Sequence, residues 1–383
     1  MKIAIVCDVL GEENNGTTIA AMNLIRYLKK QGHEVRIICA DKNRENEENV
    51  YVVPNLNLGK VLNAYVAKVG VSLAKADETI MRKGLEGVDH VHILLPFALG
   101  KVAARIAREN NLPTTASFHM QAQNFTSYIK LNKFAFINHL VYKVIYKNVY
   151  RHIDSIHYPT EFIKGVFEKN IGKKTNGYVI SNGVHGYVKP SNIVKPKELE
   201  DKIIILTTGR YSREKSQDTL IKAVKYSKYA DKIQLILGGQ GVKEKKYRKL
   251  SRKLPIQPIF KFYSRTEIID VLNYADLYVH PAEVELEGIS CLEAIACGKL
   301  TIVSDSKHAA TKNFALDEKC IFKNRNPKDL ARVIDYWIEH KEERKEYEKK
   351  YLESARVFDH DSCMKEMEEM VLKTISEKRK NNE

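Results

Sequence analysis

Two glutamates stand where a predicted strand gives way to a predicted helix. An apolar run ends at Pro281, Glu285 lies in the acidic loop that follows, and Glu293 falls eight positions further on. Gly288 opens the predicted helix, and Gly298 ends it, as glycine often does at a helix C-terminus. Because open α/β sheets bind ligands where strands hand over to helices, these carboxylates are candidates to hold the hydroxyl groups of a ligand.

The start of that helix also predicts an anion site. The first amides of a helix, here those of Gly288, Ile289 and Ser290, have no acceptor within the helix, and the helix dipole places positive charge beside them. Such a site favours a phosphate or a hydroxyl-rich ligand. The alternative interpretation is that Glu285 and Glu293 form a solvated rim without a ligand.

A short basic loop opens the second half of the chain. Arg210 and Lys215 flank this loop, which lies between a predicted strand and a predicted helix. Two cations at a strand end can clamp an anion such as a nucleotide diphosphate. A solvated basic loop is the alternative.

The first half offers a similar loop and a histidine. Gly16 and Thr17 start the first predicted helix, where a phosphate could approach the backbone; alternatively, Gly16 only makes the turn and Thr17 caps the helix. His119 follows another predicted strand and is either a contact to a sugar or a polar residue at the sheet rim. His90 and His92 lie inside a strand, so we expect them to be structural.

Strands and helices alternate along both halves of the chain, including a helix predicted over residues 60–83. This pattern predicts an α/β protein of two Rossmann-like, doubly wound domains that face a cleft. The polar, proline-bearing residues 189–197 form the best linker. We therefore place the domains at residues 1–187 and 188–357.

The length, net charge and cysteine content limit the possible classes of function. The 383 residues exceed one ordinary domain, and the net charge of +15 indicates an anionic partner: nucleic acid, a phosphorylated substrate or an acidic lipid surface. The chain has neither an apolar run of about 18 residues nor a signal-peptide core, so we expect a cytoplasmic protein without a membrane span. The six cysteines lack metal-binding spacing, so we expect buried reduced thiols and no metal site.

Residues 110–153 contain no acidic residue. Cations and tyrosines recur there at helical spacing: Lys143, Lys147, Arg151, Tyr142, Tyr146 and Tyr150. With an aliphatic stripe facing the core, these two stripes would face outwards, which suits a helix at an anionic membrane interface. The alternatives are an ordinary amphipathic helix whose tyrosines complete the core, and RNA binding, for which no recognised motif is present.

These motifs together resemble the retaining glycosyltransferases of the GT-B fold and, more narrowly, their large fourth family. Glu285 and Glu293 look like the E-x7-E signature of that family, Gly209-Arg210 with Lys215 like its donor-phosphate motif, and His119 like its active-site histidine. The family's usual pair of glycines in the first loop reads Asn15-Gly16 here. Members commonly return their last helix to the first domain, and we expect the same of residues 358–383.

The resemblance implies a nucleotide-diphosphate sugar as donor, with no cofactor and no metal. Glu293 would hold the ribose hydroxyls, Glu285 the hydroxyls of the donor sugar, and His119 would lie near the reacting carbon or the sugar's primary hydroxyl. Arg210, Lys215 and the helix starts at Thr17 and Gly288 would stabilise the charge that grows on the departing diphosphate.

The acceptor is implied by a narrower resemblance. Residues 118–127 and the basic, aromatic helix resemble diacylglycerol glucosyltransferases of Gram-positive bacteria. This implies a retaining hexosyltransferase that moves glucose, from a donor such as UDP-glucose, to a lipid such as 1,2-diacylglycerol, as a peripheral protein on the inner face of the cell membrane. The alternatives are a glycosyltransferase of cell-wall or capsular polysaccharide assembly, a nucleotide-sugar epimerase and a non-catalytic RNA-binding protein. We expect no nucleic-acid partner, and the sequence leaves the oligomeric state open.

Overall fold

The computed structural model describes residues 1–8, 10, 16–56, 74–123 and 135–381 of the 383-residue chain. They form two units, each with its own parallel sheet and its own core. The first unit is Met1–Asn182 with Asp361–Glu383, and the second is Gly183–His360. Strands and helices are numbered below in chain order over the described residues.

The first unit contains a seven-stranded parallel sheet in the order β3-β2-β1-β4-β5-β6-β7. Its strands are β1 (Lys2–Val6), β2 (Glu34–Cys39), β3 (Val50–Val52), β4 (His90–Ile93), β5 (Thr114–Ser117), β6 (Ser155–Tyr158) and β7 (Gly177–Val179). Parallel sheets are covered by helices on both faces, which explains why residues 3–6 of β1 are all buried. The strand order reverses between β1 and β4, and that is where such sheets open a crevice for ligands.

Besides the last helix of the chain, five helices are described in the first unit. They are α1 (Gly16–Lys30), α2 (Glu78–Leu85), α3 (Ala98–Glu109), α4 (Ala135–Asn148) and α5 (Glu161–Ile171). The side chain of Asp77 accepts the amide of Ile80 at the start of α2, and Thr160 does the same for Ile163 in α5. Residues 57–73, where most of the helix predicted over residues 60–83 falls, lie outside the described residues.

The second unit contains a six-stranded parallel sheet in the order β10-β9-β8-β11-β13-β15. Its strands are β8 (Ile203–Thr208), β9 (Ile233–Gly238), β10 (Ile259–Lys261), β11 (Leu277–His280), β13 (Thr301–Ser304) and β15 (Ile321–Phe322), while β12 (Val284–Glu285) pairs separately with β14 (His308–Ala309). Ile205 of β8 lies opposite Leu277 of β11. Because these two strands are parallel neighbours, the loops that follow them open at the same edge of the sheet.

Six helices are described in the second unit. They are α6 (Gln217–Tyr226), α7 (Glu244–Ser251), α8 (Arg265–Tyr274), α9 (Ile289–Ala296), α10 (Pro327–Glu339) and α11 (Lys341–Ser354). Ser264 and Glu267 form a reciprocal capping box at the start of α8. α10 carries proline in its first turn, as the sequence predicts.

The last helix, α12 (His360–Lys380), completes the core of the first unit. Met367, Val371 and Ile375 lie in the same buried cluster as Ile3 and Leu28. Near the end of this helix, Nζ of Lys378 bonds Oδ1 of Asp154 at 2.9 Å. Over the described residues, the helices lack the combination of length and apolar composition that crossing a bilayer requires.

Candidate active site

Glu285 occupies a tightly packed turn between β11 and α9. It ends β12, where it lies opposite Ala309 of β14. Gly288 follows with a φ of 94°, and a Cβ added there would lie 2.5 Å from Cγ2 of Thr311 and 3.2 Å from Cγ of Glu285. Since only glycine fits both that φ and that space, the turn that begins α9 packs directly on the Glu285 side chain.

Glu285 accepts two hydrogen bonds on one oxygen. Its Oε2 bonds Nζ of Lys215 and lies 3.0 Å from Nε2 of His280. The exposed fraction of the side chain is 12% for Glu285, 22% for Lys215 and 2% for His280. Burial raises the pKa of Glu285, but Lys215 and His280 outweigh burial and lower the pKa to about 2, so the carboxylate is ionised.

This cluster joins two residues that the sequence analysis singled out and one that it did not. Lys215 and Glu285 were proposed for the donor phosphates and the donor sugar, and the structure places them in direct contact. The third member is His280, the last residue of β11. Its position at a strand C-terminus, which it shares with His119, is the signal that could have identified it.

Lys215 reaches Glu285 because its loop is held by the segment that carries the carboxylate. The carbonyl oxygen of Glu214 accepts the amide of Glu283 at 2.7 Å. Ser216 adopts a left-handed φ of 54°, which is unusual for a residue other than glycine. Its conformation turns the chain into α6 immediately after the lysine.

Arg210 lies in the same loop with a different partner. Its guanidinium bonds Glu214 at 3.2 Å, and 39% of its side chain is exposed. The glycine loop after β9 packs against this segment, since a Cβ on Gly239 would lie 2.2 Å from the carbonyl oxygen of Gly209. These glycines allow the two backbones to meet.

Glu293 has a partner that the sequence analysis missed. Nη1 of Arg265, the first residue of α8, bonds Oε1 of Glu293 on α9. The glutamate side chain is 12% exposed and the arginine 46%. Burial raises the pKa of Glu293, while Arg265 opposes the rise. The two residues are 28 positions apart, so no local sequence pattern indicates that they pair.

The first turn of α9 presents its amides as predicted from its sequence. The amides of Cys291 and Leu292 both bond the carbonyl oxygen of Gly288, whereas those of Ile289 and Ser290 precede the first helical acceptor. Ile289 and Ser290 are partly exposed. Positive dipole charge is therefore available beside Glu285 to an anionic group.

Gly16 and Thr17 begin α1 in the first unit. Gly16 is exposed and Thr17 partly buried. Residues 11–15 of the expected phosphate loop, including Asn15, lie outside the described residues, as do residues 124–127 of the stretch that resembles diacylglycerol glucosyltransferases. A role for Gly16 and Thr17 in donor binding therefore stays a prediction.

His119 follows β5 at the carboxyl edge of the first sheet and is partly buried. Its ring meets that of His157 edge-on, with 5.8 Å between the centroids. Burial, and secondarily His157, lower the pKa of His119 to about 3, so its imidazole is neutral at neutral pH. A neutral ring can donate or accept a hydrogen bond to a hydroxyl but supplies no positive charge.

Near His119, three buried histidines form a chain of hydrogen bonds in which each donor and acceptor can be assigned. Burial lowers the pKa of each, to about 3 for His90 and about 4 for His157, so each ring has a single N–H. Nε2 of His157 donates to the carbonyl after β7 at 2.7 Å, so its Nδ1 accepts from Ser117 at 2.8 Å. Ser117 accepts from Nε2 of His92, whose Nδ1 accepts from Thr115, and Thr115 accepts from His90. His90 and His92 thus link the strands, as expected for structural residues.

The expected outward stripe of tyrosines on α4 is wrong. Tyr142 and Tyr150 are 0% and 2% exposed, and Tyr146 is partly buried. The rings turn inwards because Phe118 and Phe167 form an aromatic cluster that they complete, with 5.3 Å between the centroids of Tyr150 and Phe167. Tyr150 therefore cannot face a membrane, and the interpretation that the tyrosines complete the core is the correct one.

The outward face of α4 is instead apolar and basic. Phe136, Leu140 and Val144, four residues apart, are 75%, 50% and 46% exposed. Lys143 and Lys147 on α4, and Arg151 in the turn after it, are exposed as predicted. We call these six residues the α4 surface. The four-residue spacing of its apolar members was visible in the sequence, but the choice of the outward stripe was not.

Comparisons with known proteins cover both units. Residues 14–185 match the family described as Glycosyltransferase Family 4, and residues 188–353 match Glycosyl transferases group 1. The chain is 25% identical over 318 residues to an alpha-monoglucosyldiacylglycerol synthase of Streptococcus pneumoniae, covering 78% of this chain and 70% of that protein. It is also 25% identical over 308 residues to a GDP-mannose-dependent alpha-mannosyltransferase of Corynebacterium glutamicum, covering 79% of this chain and 72% of that one.

A solved structure supports the same fold. HepE of Anabaena, crystallised with UDP and glucose, matches 97% of this chain and 100% of its own, with a TM-score of 0.74 and 16% identity. At that identity the likeness concerns the fold alone. It confirms the prediction of an α/β protein with two doubly wound domains.

Proposed function

This chain belongs to the GT-B glycosyltransferases of the family 4 and group 1 type, and we propose that it transfers glucose from UDP-glucose, with retention, to the hydroxyl of 1,2-diacylglycerol at an anionic membrane surface. The C1–O bond to the diphosphate breaks, and its electron pair stays on the departing phosphate oxygen. The acceptor oxygen forms the new bond to C1, and its proton is released with UDP.

The donor end of the proposal rests on the cluster around Glu285. Lys215, the exposed guanidinium of Arg210 and the first amides of α9 are groups that stabilise negative charge as it develops on a diphosphate. Glu285, ionised between Lys215 and His280, can accept hydrogen bonds from sugar hydroxyls. Glu293 is assigned to the ribose hydroxyls, and His119 to the sugar of the donor. This chemistry uses no metal or other cofactor.

The observation that carries the lipid acceptor is the α4 surface. Three large apolar side chains exposed to solvent cost free energy that insertion among acyl chains would recover. The cations beside them match anionic headgroups, each contributing about 1 kcal/mol near such a surface. Because residues 110–153 contain no acidic residue, nothing on that segment repels the lipid. This surface supports the peripheral position on the inner leaflet that we propose.

A second donor also has support. The mannosyltransferase relative and the alpha-monoglucosyldiacylglycerol synthase relative are each 25% identical to this chain. GDP-mannose is therefore the first alternative donor, and a carbohydrate of cell-wall or capsular assembly is the alternative acceptor. An epimerase would turn over a nucleotide sugar with no acceptor present.

The test is release of nucleoside diphosphate from UDP-glucose and from GDP-mannose. Each donor is supplied with vesicles of phosphatidylglycerol and diacylglycerol, with phosphatidylcholine and diacylglycerol, or with soluble sugars. We expect release of UDP that needs diacylglycerol and is faster on the anionic vesicles. Release that responds only to soluble sugars, or only to GDP-mannose, would contradict the proposal.

Variants of the α4 surface separate membrane binding from chemistry. We expect F136S/L140S/V144S and K143S/K147S/R151S each to weaken binding to anionic vesicles by about tenfold or more, while UDP-glucose binding is unchanged. V194S/V357S removes two exposed apolar side chains of the second unit, 84% and 74% exposed, and serves as the control that keeps vesicle binding. Equal binding by all these variants would remove the α4 surface from the proposal.

A further inference from the structure

We propose that His280 is a positioning residue that fixes the Glu285 carboxylate for the donor sugar, an inference that rests on the function proposed above. His280 is the last residue of β11. It is 1% exposed, so it cannot itself meet a substrate without a change in the fold. Its effect on the reaction must pass through the residue that it contacts.

The protonation pattern of His280 follows from its partners. A carboxylate only accepts hydrogen bonds, so Nε2 of His280 carries the proton that goes to Oε2 of Glu285 at 3.0 Å. The ring lies against the phenol of Tyr278, whose Oη is 3.5 Å from Nδ1 and 2.8 Å from Oγ1 of Thr208. These contacts at the ends of β8 and β11 hold the imidazole in one orientation.

The two donors on Glu285 have complementary roles. Lys215 has a flexible side chain and supplies charge, but its ammonium group can donate hydrogen bonds in many directions. The imidazole is rigid and fixed by its strand, so it defines the direction from which Oε2 is held. Among the described residues both bonds end on Oε2, which leaves Oε1 directed to the hydroxyls of the donor.

Charge supports this division of roles. Burial lowers the pKa of His280, although Glu285 opposes the shift. The ring is therefore neutral, and Glu285 is balanced by the single charge of Lys215. The imidazole can thus orient the carboxylate without adding a second positive charge to the cluster.

The test compares glutamine and asparagine as replacements for His280. The amide nitrogen of glutamine reaches the place of Nε2, whereas that of asparagine reaches the place of Nδ1. We expect H280A and H280N to lower kcat by about tenfold or more, because small misplacements of a reacting group cost about that much or more. The KM for UDP-glucose should change by less than about threefold, since the diphosphate contacts remain. H280Q should recover most of the wild-type kcat.

The melting temperature and E285Q separate the possible outcomes. Equal loss in all three His280 variants, or loss that follows the melting temperature, would give His280 a packing role only and overturn the inference. Wild-type kcat in H280A, with E285Q inactive, would overturn it while leaving the proposed function standing. Full activity in E285Q would instead remove Glu285 from the site, and with it both claims.

Discussion

Arg265 at the start of α8 and Glu293 on α9 form an ion pair 28 residues apart in the chain. The pair joins α8 to α9, the helix whose first amides are proposed to bind the donor. It also sets the state of the carboxylate assigned to the ribose, because Arg265 counteracts the rise in the pKa of Glu293 that burial produces. The ionised carboxylate can accept hydrogen bonds from ribose hydroxyls on both oxygens, whereas the protonated acid carries an O–H donor on one of them.

Replacing Arg265 should therefore make donor binding sensitive to pH. Without the guanidinium the pKa of Glu293 rises further, so a larger share of the carboxyl is protonated at pH 6 than at pH 8. We expect R265A to raise the KM for UDP-glucose several-fold, and more at pH 6 than at pH 8. R265K keeps the charge and serves as the control. The same KM for R265A at both pH values would contradict this role.

Glycine at position 288 should be required for stability. An alanine there has a φ of 94° and a Cβ 2.5 Å from Thr311, and such strain costs about 1–3 kcal/mol. We expect G288A to lower the melting temperature and to displace Glu285, with loss of transfer. Gly186 has no positive φ and no atom within 4 Å of its Cβ position, so G186A is the control and should leave both properties unchanged.

The contact between Lys215 and Glu285 should also be visible in stability. K215M leaves a largely buried carboxylate without its cation, and we expect the free energy of unfolding to fall by about 1–3 kcal/mol. K215M/E285L removes both charges and should recover most of that loss. Chemical denaturation of the three proteins measures the difference. A double variant less stable than K215M would show that the pair is not the source of the effect.

Acid should destabilise the first unit through its buried histidines. His90, His92, His119 and His157 have lowered pKa values when folded, so they are neutral at pH 5. Near the ordinary pKa of about 6.5 they take up protons on unfolding. Asp8 acts in the opposite sense, because burial raises its pKa to about 7 and unfolding releases its proton.

The four imidazoles outnumber that single carboxyl. The contribution of the imidazoles is therefore complete above about pH 6.5, and the net stability falls as the pH decreases from there towards 4. Calorimetric scans between pH 7.5 and pH 5 should show a decreasing melting temperature for the transition of this unit. A constant melting temperature over that range would mean that the buried rings are already protonated in the folded protein.

The sequence predicts the cluster at Glu285 because its parts obey local rules. Lys215 follows β8, Glu285 follows β11, and these strands are parallel neighbours, so both residues emerge at one edge of the sheet. The sequence could not show which face of a helix turns inwards, or which residues far apart in the chain make contact. Helical spacing reveals the stripes of α4 but does not say which stripe meets Phe167, and nothing near Glu293 points to Arg265.

α12 has a consequence for how the protein is made. Its apolar residues, such as Met367 and Val371, close the core that β1 and α1 begin. During synthesis, part of the apolar surface of the first sheet therefore stays open to water until the 178 intervening residues (183–360) have left the ribosome. The second unit is continuous and can fold alone in that interval. Chains truncated before α12 should accordingly depend on chaperones and aggregate.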